Sequence, residues 1–234
     1  MRAGKKLRVA ATRFLVCLST AACLPAAAGA VPTTYTSSAA FLLALPGAAT
    51  TASFDGLSSG YAIASGGSAD GITFTYAFPG GEGLIVTDGT AAGGGGPFST
   101  TSSPNFLGTT DFDVLLDGDD LAFGFSSANA IGLFIITAEV PGTTLFDGDL
   151  GLAAAGATAL LDVDAVEQTL SDGIVFFLGV IDPAATFSSA SLDTFGGGGA
   201  FAYNVDDVVT AVPEPGTALM VALGLLILCR LRPR

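Results

Sequence analysis

The sequence predicts an all-β protein: an antiparallel β-sandwich of jelly-roll type with one short N-terminal helix, a β-barrel being the alternative. Half of the residues are hydrophobic, 12% are charged and 32 of 234 are glycine. This composition excludes a disordered chain and is typical of short strands separated by many turns. Apolar residues also recur at every second position in several stretches, and no helix-length segment separates these stretches.

One short helix is predicted between Ser37 and Leu45. Ser37 or Ser38 can cap its first turn, and Phe41 and Leu45 lie four residues apart, so they share one face. Pro46, followed by glycine, ends the helix. We expect the rest of the domain to consist of strands.

The strands are predicted from two kinds of pattern. Apolar residues that alternate with small polar ones indicate a strand with one buried face, and nearly continuous apolar runs indicate central strands buried on both faces. Asp-Gly pairs between the runs favour hairpin turns. The alternating strands are Ile72–Phe78 and Leu121–Phe125, the continuous ones are Ile131–Ala138 and Ile174–Ile181, and Phe187–Phe195 and Phe201–Val209 complete the set.

Charge divides the chain into two basic ends and an acidic middle. All eight Lys and Arg lie at or before Arg13 or at or after Arg230, and there is no His. All 21 acidic residues lie between these ends, and all but Glu214 fall within residues 31–211. Such a polyanionic surface cannot neutralise phosphates, which excludes nucleic acid and anionic lipid as partners. Cations are its expected counter-partners.

The N-terminus has the pattern of a secretory signal peptide over residues 1–30. A basic region is followed by an apolar stretch, and Ala28 and Ala30 fit the small-residue positions that signal peptidase requires, with cleavage after Ala30. The chain would therefore use the export translocon. An uncleaved anchor is weaker, because about 11 apolar residues are too few to span a bilayer. A lipoprotein cleaved before Cys23 is a minor alternative.

The C-terminus combines three features within residues 212–234. A proline-rich motif precedes a short apolar transmembrane helix over residues 216–229, and the arginines after it place the tail in the cytoplasm. An ordinary tail anchor is the alternative. The motif consists of Val212, Pro213, Glu214 and Pro215, and the basic tail contains Arg230, Arg232 and Arg234.

This succession closely resembles the PEP-CTERM sorting signal of Gram-negative bacteria. The resemblance implies recognition by an exosortase, a membrane peptidase that cuts near the Pro-Glu-Pro motif. It also implies an intermediate anchored in the inner membrane, followed by delivery to the cell surface or the exopolysaccharide matrix. The acidic region over residues 31–211 is in turn similar to β-sandwich ectodomains of such proteins. Its function is then that of an exported structural protein of a surface or biofilm matrix.

Catalysis is not expected. The domain lacks His, Cys and Lys, because all three cysteines lie in the two end segments. That excludes Ser-His-Asp, Cys-His and Ser-Lys machinery. A pair of carboxylates can hydrolyse glycosides, but the domain also lacks Trp and Arg to hold a sugar. We predict that the protein is not an enzyme.

A structural Ca²⁺ is an optional addition, and no cofactor is required. Carboxylate oxygens suit Ca²⁺. By analogy with jelly-roll modules, the ion would join Asp55, near the start of the domain, to Asp206 or Asp207 in its last strand. The alternative is that these aspartates form turns and bond their own backbone.

A glycan-binding module is the second candidate function, with exopolysaccharide as its ligand. Aromatic side chains that flank a groove would favour it. The tyrosines that can serve are Tyr35, Tyr61, Tyr76 and Tyr203, of which Tyr76 and Tyr203 are expected in the core.

Overall fold

The computed structural model describes most of the predicted domain. It covers residues 31–78, 83–88, 100–102, 104–109, 121–137, 149–154, 156–160, 167–170, 173–195 and 203–212. The predicted signal peptide with Ala28 and Ala30 lies outside the described residues. So do Pro213, Glu214 and Pro215 of the motif, the apolar segment after them, and the arginines at 230, 232 and 234.

The described residues form fifteen strands and one helix. The strands are β1 (Thr33–Tyr35), β2 (Ala49–Ala52), β3 (Tyr61–Ile63), β4 (Ser68–Ala69), β5 (Ile72–Tyr76), β6 (Leu84–Thr87), β7 (Phe106–Thr109), β8 (Leu121–Ala128), β9 (Ala130–Thr137), β10 (Asp149–Ala154), β11 (Ala157–Leu160), β12 (Gln168–Thr169), β13 (Ile174–Ile181), β14 (Phe187–Phe195) and β15 (Asn204–Ala211). The helix α1 (Ser38–Ala44) follows β1.

The strands make two antiparallel sheets. The larger has nine strands in the order β1-β13-β9-β15-β7-β6-β3, with β12 beside β13 and β2 beside β15. The smaller has six, in the order β11-β10-β14-β8-β5-β4. The last strand in sequence, β15, therefore lies in the middle of the larger sheet, where it pairs with β9 on one side and with β7 and β2 on the other.

The two sheets face each other across one hydrophobic core. Phe74 and Phe123 of the smaller sheet and Leu133 and Phe176 of the larger one belong to the same buried cluster, and each is at most 1% exposed. Burial of such side chains provides about 1.5–3 kcal/mol each relative to exposure. The all-β prediction, with one N-terminal helix, is confirmed.

The predicted elements correspond closely to the observed ones where apolar patterns are long. The stretch Ile174–Ile181 is a strand with every residue buried, as its continuous apolar sequence predicts. The predicted strand Phe187–Phe195 has the observed bounds. The helix begins after Ser37, whose side chain accepts the Ala40 N–H at 3.4 Å.

The helix lies on the outer face of the larger sheet, where two glycines make room for it. Gly132 on β9 and Gly179 on β13 are cross-strand partners. A Cβ atom at Gly132 would lie 2.6 Å from Phe177, and one at Gly179 would lie 2.6 Å from the ring of Phe41 on α1. The two glycines thus form a flat patch into which Phe41, which is 0% exposed, packs.

No helix among the described residues is long and apolar enough to cross a membrane.

Candidate functional site

The turn after β2 is backbone-strained and buried. Phe54 has a φ of 63° although its side chain is 0% exposed. Such a conformation is an outlier for a bulky residue and persists only where neighbouring groups hold it. The Asp70 carboxylate holds it here, because its Oδ2 accepts the Phe54 N–H at 2.8 Å. Asp70 is itself left-handed, with a φ of 48°, in the tight turn between β4 and β5.

Asn105 fixes the same turn from the other side. Its Nδ2 donates to the carbonyl oxygens of Phe54 at 3.2 Å and Leu57 at 2.9 Å, and its backbone N–H donates to Asp55 Oδ1 at 2.9 Å. Asn105 is 3% exposed, so these bonds satisfy polar groups that would otherwise be buried without partners. Asp55 is thereby held against the segment that leads into β7.

A β-bulge in β15 presents the other two predicted aspartates. The register of β15 against β9 shifts between Asp206 and Val209, so one extra residue lies in β15. Asp207 takes up the bend with a φ of 47°. Aspartate tolerates this left-handed region better than most residues. Asp206 is 0% exposed and Asp207 is half-buried.

The structure brings Asp55, Asp206 and Asp207 together around two hydroxyls, and we call this group the aspartate cluster. Thr101 Oγ1 lies 2.8 Å from Asp206 Oδ2 and 3.1 Å from Asp207 Oδ2. Ser102 Oγ lies 3.0 Å from Asp207 Oδ1 and 3.4 Å from Asp55 Oδ2. The three aspartates come from the turn after β2 and from β15, which lie far apart in the sequence.

The hydroxyl protons cannot satisfy all of these contacts. Each hydroxyl carries one proton, so Thr101 and Ser102 can each donate to only one of the two carboxylates they touch. At Thr101 the second contact, with Asp207 Oδ2 at 3.1 Å, is close enough to favour a proton on a carboxyl group or a bound cation, whereas the 3.4 Å contact of Ser102 with Asp55 is weak. No Lys, Arg or His exists between Phe14 and Cys229 to compensate the charge.

Burial makes Asp206 the group that takes up a proton. Desolvation, with a further contribution from the negative charge of Asp207, raises the pKa of Asp206 from 3.8 to about 7. The backbone N–H groups of Thr101 and Ser102 donate to Oδ2 at 2.9 and 3.2 Å. They lower the pKa of Asp206, but by less than burial raises it. Near neutral pH the cluster is therefore poised between two protonation states.

The cluster does not have the geometry of a preformed metal centre. Among the described residues no group of three or more His, Cys, Asp or Glu side chains is arranged to hold a metal ion. The carboxylate oxygens instead accept from N–H and O–H donors of Thr101, Ser102 and Asn105, and the Asp207 N–H donates to Asp206 Oδ1 at 2.8 Å.

A cleft lies between β2 and β15 of the larger sheet and the β4–β5 turn and β8 of the smaller one, and no residue of the aspartate cluster lines it. Its volume is about 180 Å³. Ile72, Val208 and the ring of Phe125 form apolar walls. The polar groups of the walls are the carboxylate of Asp70 and the hydroxyls of Thr50, Ser126, Ser127 and Thr210.

The tyrosines that the sequence offered for glycan contact do not line this cleft. Tyr203 is 4% exposed, and Tyr76 is half-buried with its hydroxyl on the Ile63 carbonyl at 2.7 Å. Tyr35 is half-buried and packs edge-on against Phe41, with ring centroids 5.7 Å apart. Only Tyr61 of the four is exposed, on β3 at the edge of the larger sheet.

The three aspartates thus lie together as the sequence predicts, whereas nothing in the sequence indicates the cleft. Its polar residues lie on β2, β8 and β15 and in one turn, with no motif or spacing that links them. Phe125 packs against the core, as the alternation in its strand predicts, and being half-buried it also lines the cleft.

Comparison with protein-family models, with curated proteins and with solved structures finds no significant match.

Proposed function

We propose that this chain is an exported structural protein of a cell surface or exopolysaccharide matrix, sorted through its C-terminal motif by an exosortase. The observation that carries the proposal is the succession of motif, apolar segment and arginines directly after the last strand. β15 ends at Ala211, and Val212, the first residue of the motif, is 47% exposed. The motif thus begins where the hydrogen-bonded sheet ends, in a position that a membrane peptidase can reach.

The domain's charge supports an extracellular rather than an intracellular role. It carries many carboxylates and no basic residue, so it cannot bind nucleic acid and resists collapse onto other acidic polymers. The domain also has no cysteine, so its stability depends on packing and hydrogen bonds rather than on disulfides. We infer that the mature protein acts by its surface and is not an enzyme.

We also infer that the sandwich is a jelly roll, and the strand order supports this. Eight strands carry the pattern. The larger sheet contains β7, β9, β13 and β15, and the smaller sheet contains β8, β10, β11 and β14. The larger sheet places them as β7-β15-β9-β13 and the smaller as β8-β14-β10-β11. First and last strands are neighbours in each sheet, as two interleaved Greek keys require.

The sorting proposal is tested by mass spectrometry of both termini of the mature protein, from cells with and without the exosortase. We expect an N-terminus at Val31 and, only with the exosortase, loss of the residues after the motif. Glu214→Ala should block release, whereas Thr217→Ala, just outside the motif, should not. A released protein that retains the apolar segment through Cys229 would contradict the proposal.

A structural Ca²⁺ at the aspartate cluster is part of the proposal only as an addition to this role. The unsatisfied contact at Thr101 favours a cation, and the raised pKa of Asp206 favours a proton in the same place. Calorimetry with Ca²⁺ at pH 8 distinguishes them. If there is neither binding heat nor a Ca²⁺-dependent rise in the melting temperature, the cluster holds a proton and no Ca²⁺.

Glycan binding is the second candidate function. The cleft between β2 and β8 favours it, because residues with hydroxyls, one carboxylate and one aromatic residue line it. Retention of the protein on immobilised exopolysaccharide is the direct measurement.

A further inference from the structure

The cleft between β2 and β8 has the features of a site for one sugar ring. We propose that it binds the neutral, terminal ring of a glycan chain, with the paired hydroxyls of Thr50 and Thr210 as its main polar contacts. This inference rests on the glycan-binding candidate above and is independent of how the chain is sorted.

The two threonines form a matched pair on one face of the larger sheet. Thr50 on β2 and Thr210 on β15 are directly opposite each other in the antiparallel register. Side chains at such positions have Cβ atoms about 4.5–5.5 Å apart, so both hydroxyls can reach the same small ligand. Neither side-chain hydroxyl has a hydrogen-bond partner in the described part of the chain, and both threonines line the cleft. Ser126 and Ser127 bring two more hydroxyls from β8.

Asp70 gives the cleft its charge preference. Its Oδ2 is occupied by the Phe54 N–H, while Oδ1 has no donor among the described residues. A carboxylate oxygen in this position accepts hydrogen bonds from sugar hydroxyls. No basic residue exists between Phe14 and Cys229, so an anionic sugar would meet an uncompensated negative charge. The site therefore selects neutral sugars over uronic acids.

The apolar walls supply a surface for the ring's C–H face. Phe125 is half-buried and held edge-on against Phe187, with ring centroids 5.8 Å apart. Ile72 and Val208 are 4% and 0% exposed, so they support the cleft from beneath and leave the half-buried Phe125 as its main apolar surface. Small-molecule sites typically join such apolar walls to a few polar groups, with volumes of about 300–1,000 Å³ for drug-sized ligands. The cleft, at about 180 Å³, suits one ring rather than several.

The backbone around the cleft is held in place before any ligand arrives. Phe54, Asp70 and Asp207 are the three non-glycine residues with positive φ in the described part of the chain. Asp70 lines the cleft, Asp207 precedes the cleft residue Val208, and Phe54 is bonded to Asp70. A preformed site loses less conformational freedom on binding, which matters most for small, weakly bound ligands.

The experiment measures monosaccharide binding to the full-length chain, purified in a zwitterionic detergent that has no sugar head group. Saturation-transfer NMR is recorded with glucose, galactose, mannose and xylose, and with glucuronic acid and glucosamine as charged probes. We expect at least one neutral sugar to bind and glucuronic acid not to bind. The Thr50→Val and Thr210→Val variants, which keep side-chain shape and strand propensity, should each weaken binding about tenfold, in line with the loss of one good hydrogen bond.

Thr51→Val is the matched control, because Thr51 is next to Thr50 on β2 but points to the opposite face. It should bind like the unchanged protein. Ser127→Ala, on the other sheet, gives a second variant if either threonine variant melts at a lower temperature. Equal binding by all variants would overturn the proposal, as would no neutral-sugar binding up to about 50 mM, where even a weak site fills. Binding of glucosamine alone, lost in Asp70→Asn, would overturn it in favour of a cation site.

Failure of this proposed site can be distinguished from failure of the glycan-binding proposal in general. If the protein is retained on exopolysaccharide but the Thr50→Val and Thr210→Val variants are retained equally, glycan binding stands and this site is wrong.

Discussion

Replacement of Asp206 by asparagine should remove most of the pH dependence of this domain's stability between pH 4 and pH 7. The side chain is 0% exposed and its pKa in the folded domain is about 7 against an ordinary value of 3.8. The folded state therefore holds this proton more tightly than the unfolded chain does. The stabilisation from Asp206 is complete below pH 3.8, declines as the pH rises, and is lost above pH 7.

The magnitude follows from the two pKa values. The difference between them corresponds to about 4 kcal/mol of unfolding free energy between low pH and pH 8. Asparagine cannot ionise, and its amide oxygen can still accept from the Thr101 and Ser102 N–H groups. It loses the bond from the Asp207 N–H, at a cost of about 1 kcal/mol. We expect Asp206→Asn to be about 0.5 kcal/mol less stable at pH 4 and about 3 kcal/mol more stable at pH 8.

The assay is urea unfolding of residues 31–212 at half-unit intervals from pH 4 to pH 8. The chain has no Trp, so tyrosine fluorescence and circular dichroism report unfolding. The two stability curves should cross at about pH 4.5. Asp207→Asn is the graded control: it removes the neighbouring charge, so it should lower the pKa of Asp206 and reduce the slope without abolishing it.

One result would refute this reasoning. If the unchanged domain is more stable than Asp206→Asn at pH 8, the ionised carboxylate is favoured in the folded state. Loss of that advantage on addition of EDTA would then identify a bound divalent cation as the cause. An equal advantage with and without EDTA would mean that the N–H donors of Thr101 and Ser102 outweigh burial.

Three further predictions concern packing and hydrogen bonding. Gly132→Ala or Gly179→Ala should destabilise the domain by about 1–3 kcal/mol, because the new Cβ meets the rings of Phe177 or Phe41, and urea unfolding measures this. Gly124→Ala, whose Cβ would lie 3.5 Å from Thr73, is the matched control and should change stability by less than about 1 kcal/mol. Asn105→Ala should cost about 2–3 kcal/mol, since it removes two hydrogen bonds and leaves the Leu57 carbonyl without its donor, while the Phe54 carbonyl keeps the Leu57 N–H; a loss below about 0.5 kcal/mol would show that water replaces the amide. Deletion of residues 203–212 should abolish cooperative unfolding, and a sharp melting transition in that variant would contradict the central position of β15.

The sequence was informative where a pattern is long or a residue type is unusual. The apolar run from Ile174 to Ile181 is a buried strand, as its length and composition predict. The helix begins after its N-cap Ser37 and ends before Pro46. Short strands such as β2, which reads Ala-Thr-Thr-Ala, carry no alternation and little apolar surface. Their pairing depends on neighbours that are remote in sequence, so local pattern could not predict them.

The candidate site shows the same division. Asp55, Asp206 and Asp207 were grouped from the sequence by analogy, and the structure places them around Thr101 and Ser102. The hydroxyls were not predicted, because nothing in residues 100–105 marks them as partners of a strand about 100 positions later. The cleft depends on the register of β2 against β15, which is set by tertiary pairing and has no local signal.

The place of β15 in the larger sheet bears on the order in which the chain becomes compact. β9 has two hydrogen-bonded neighbours, and one of them, β15, is the last strand in the chain. The pairing of β9 is therefore complete only when residues up to Ala211 are available for folding. If the chain is exported from its N-terminus as proposed, the strands that emerge before β15 lack their central partner. On that route the larger sheet can close only once residues up to Ala211 have emerged, so completion of the fold would coincide with exposure of the motif that begins at Val212.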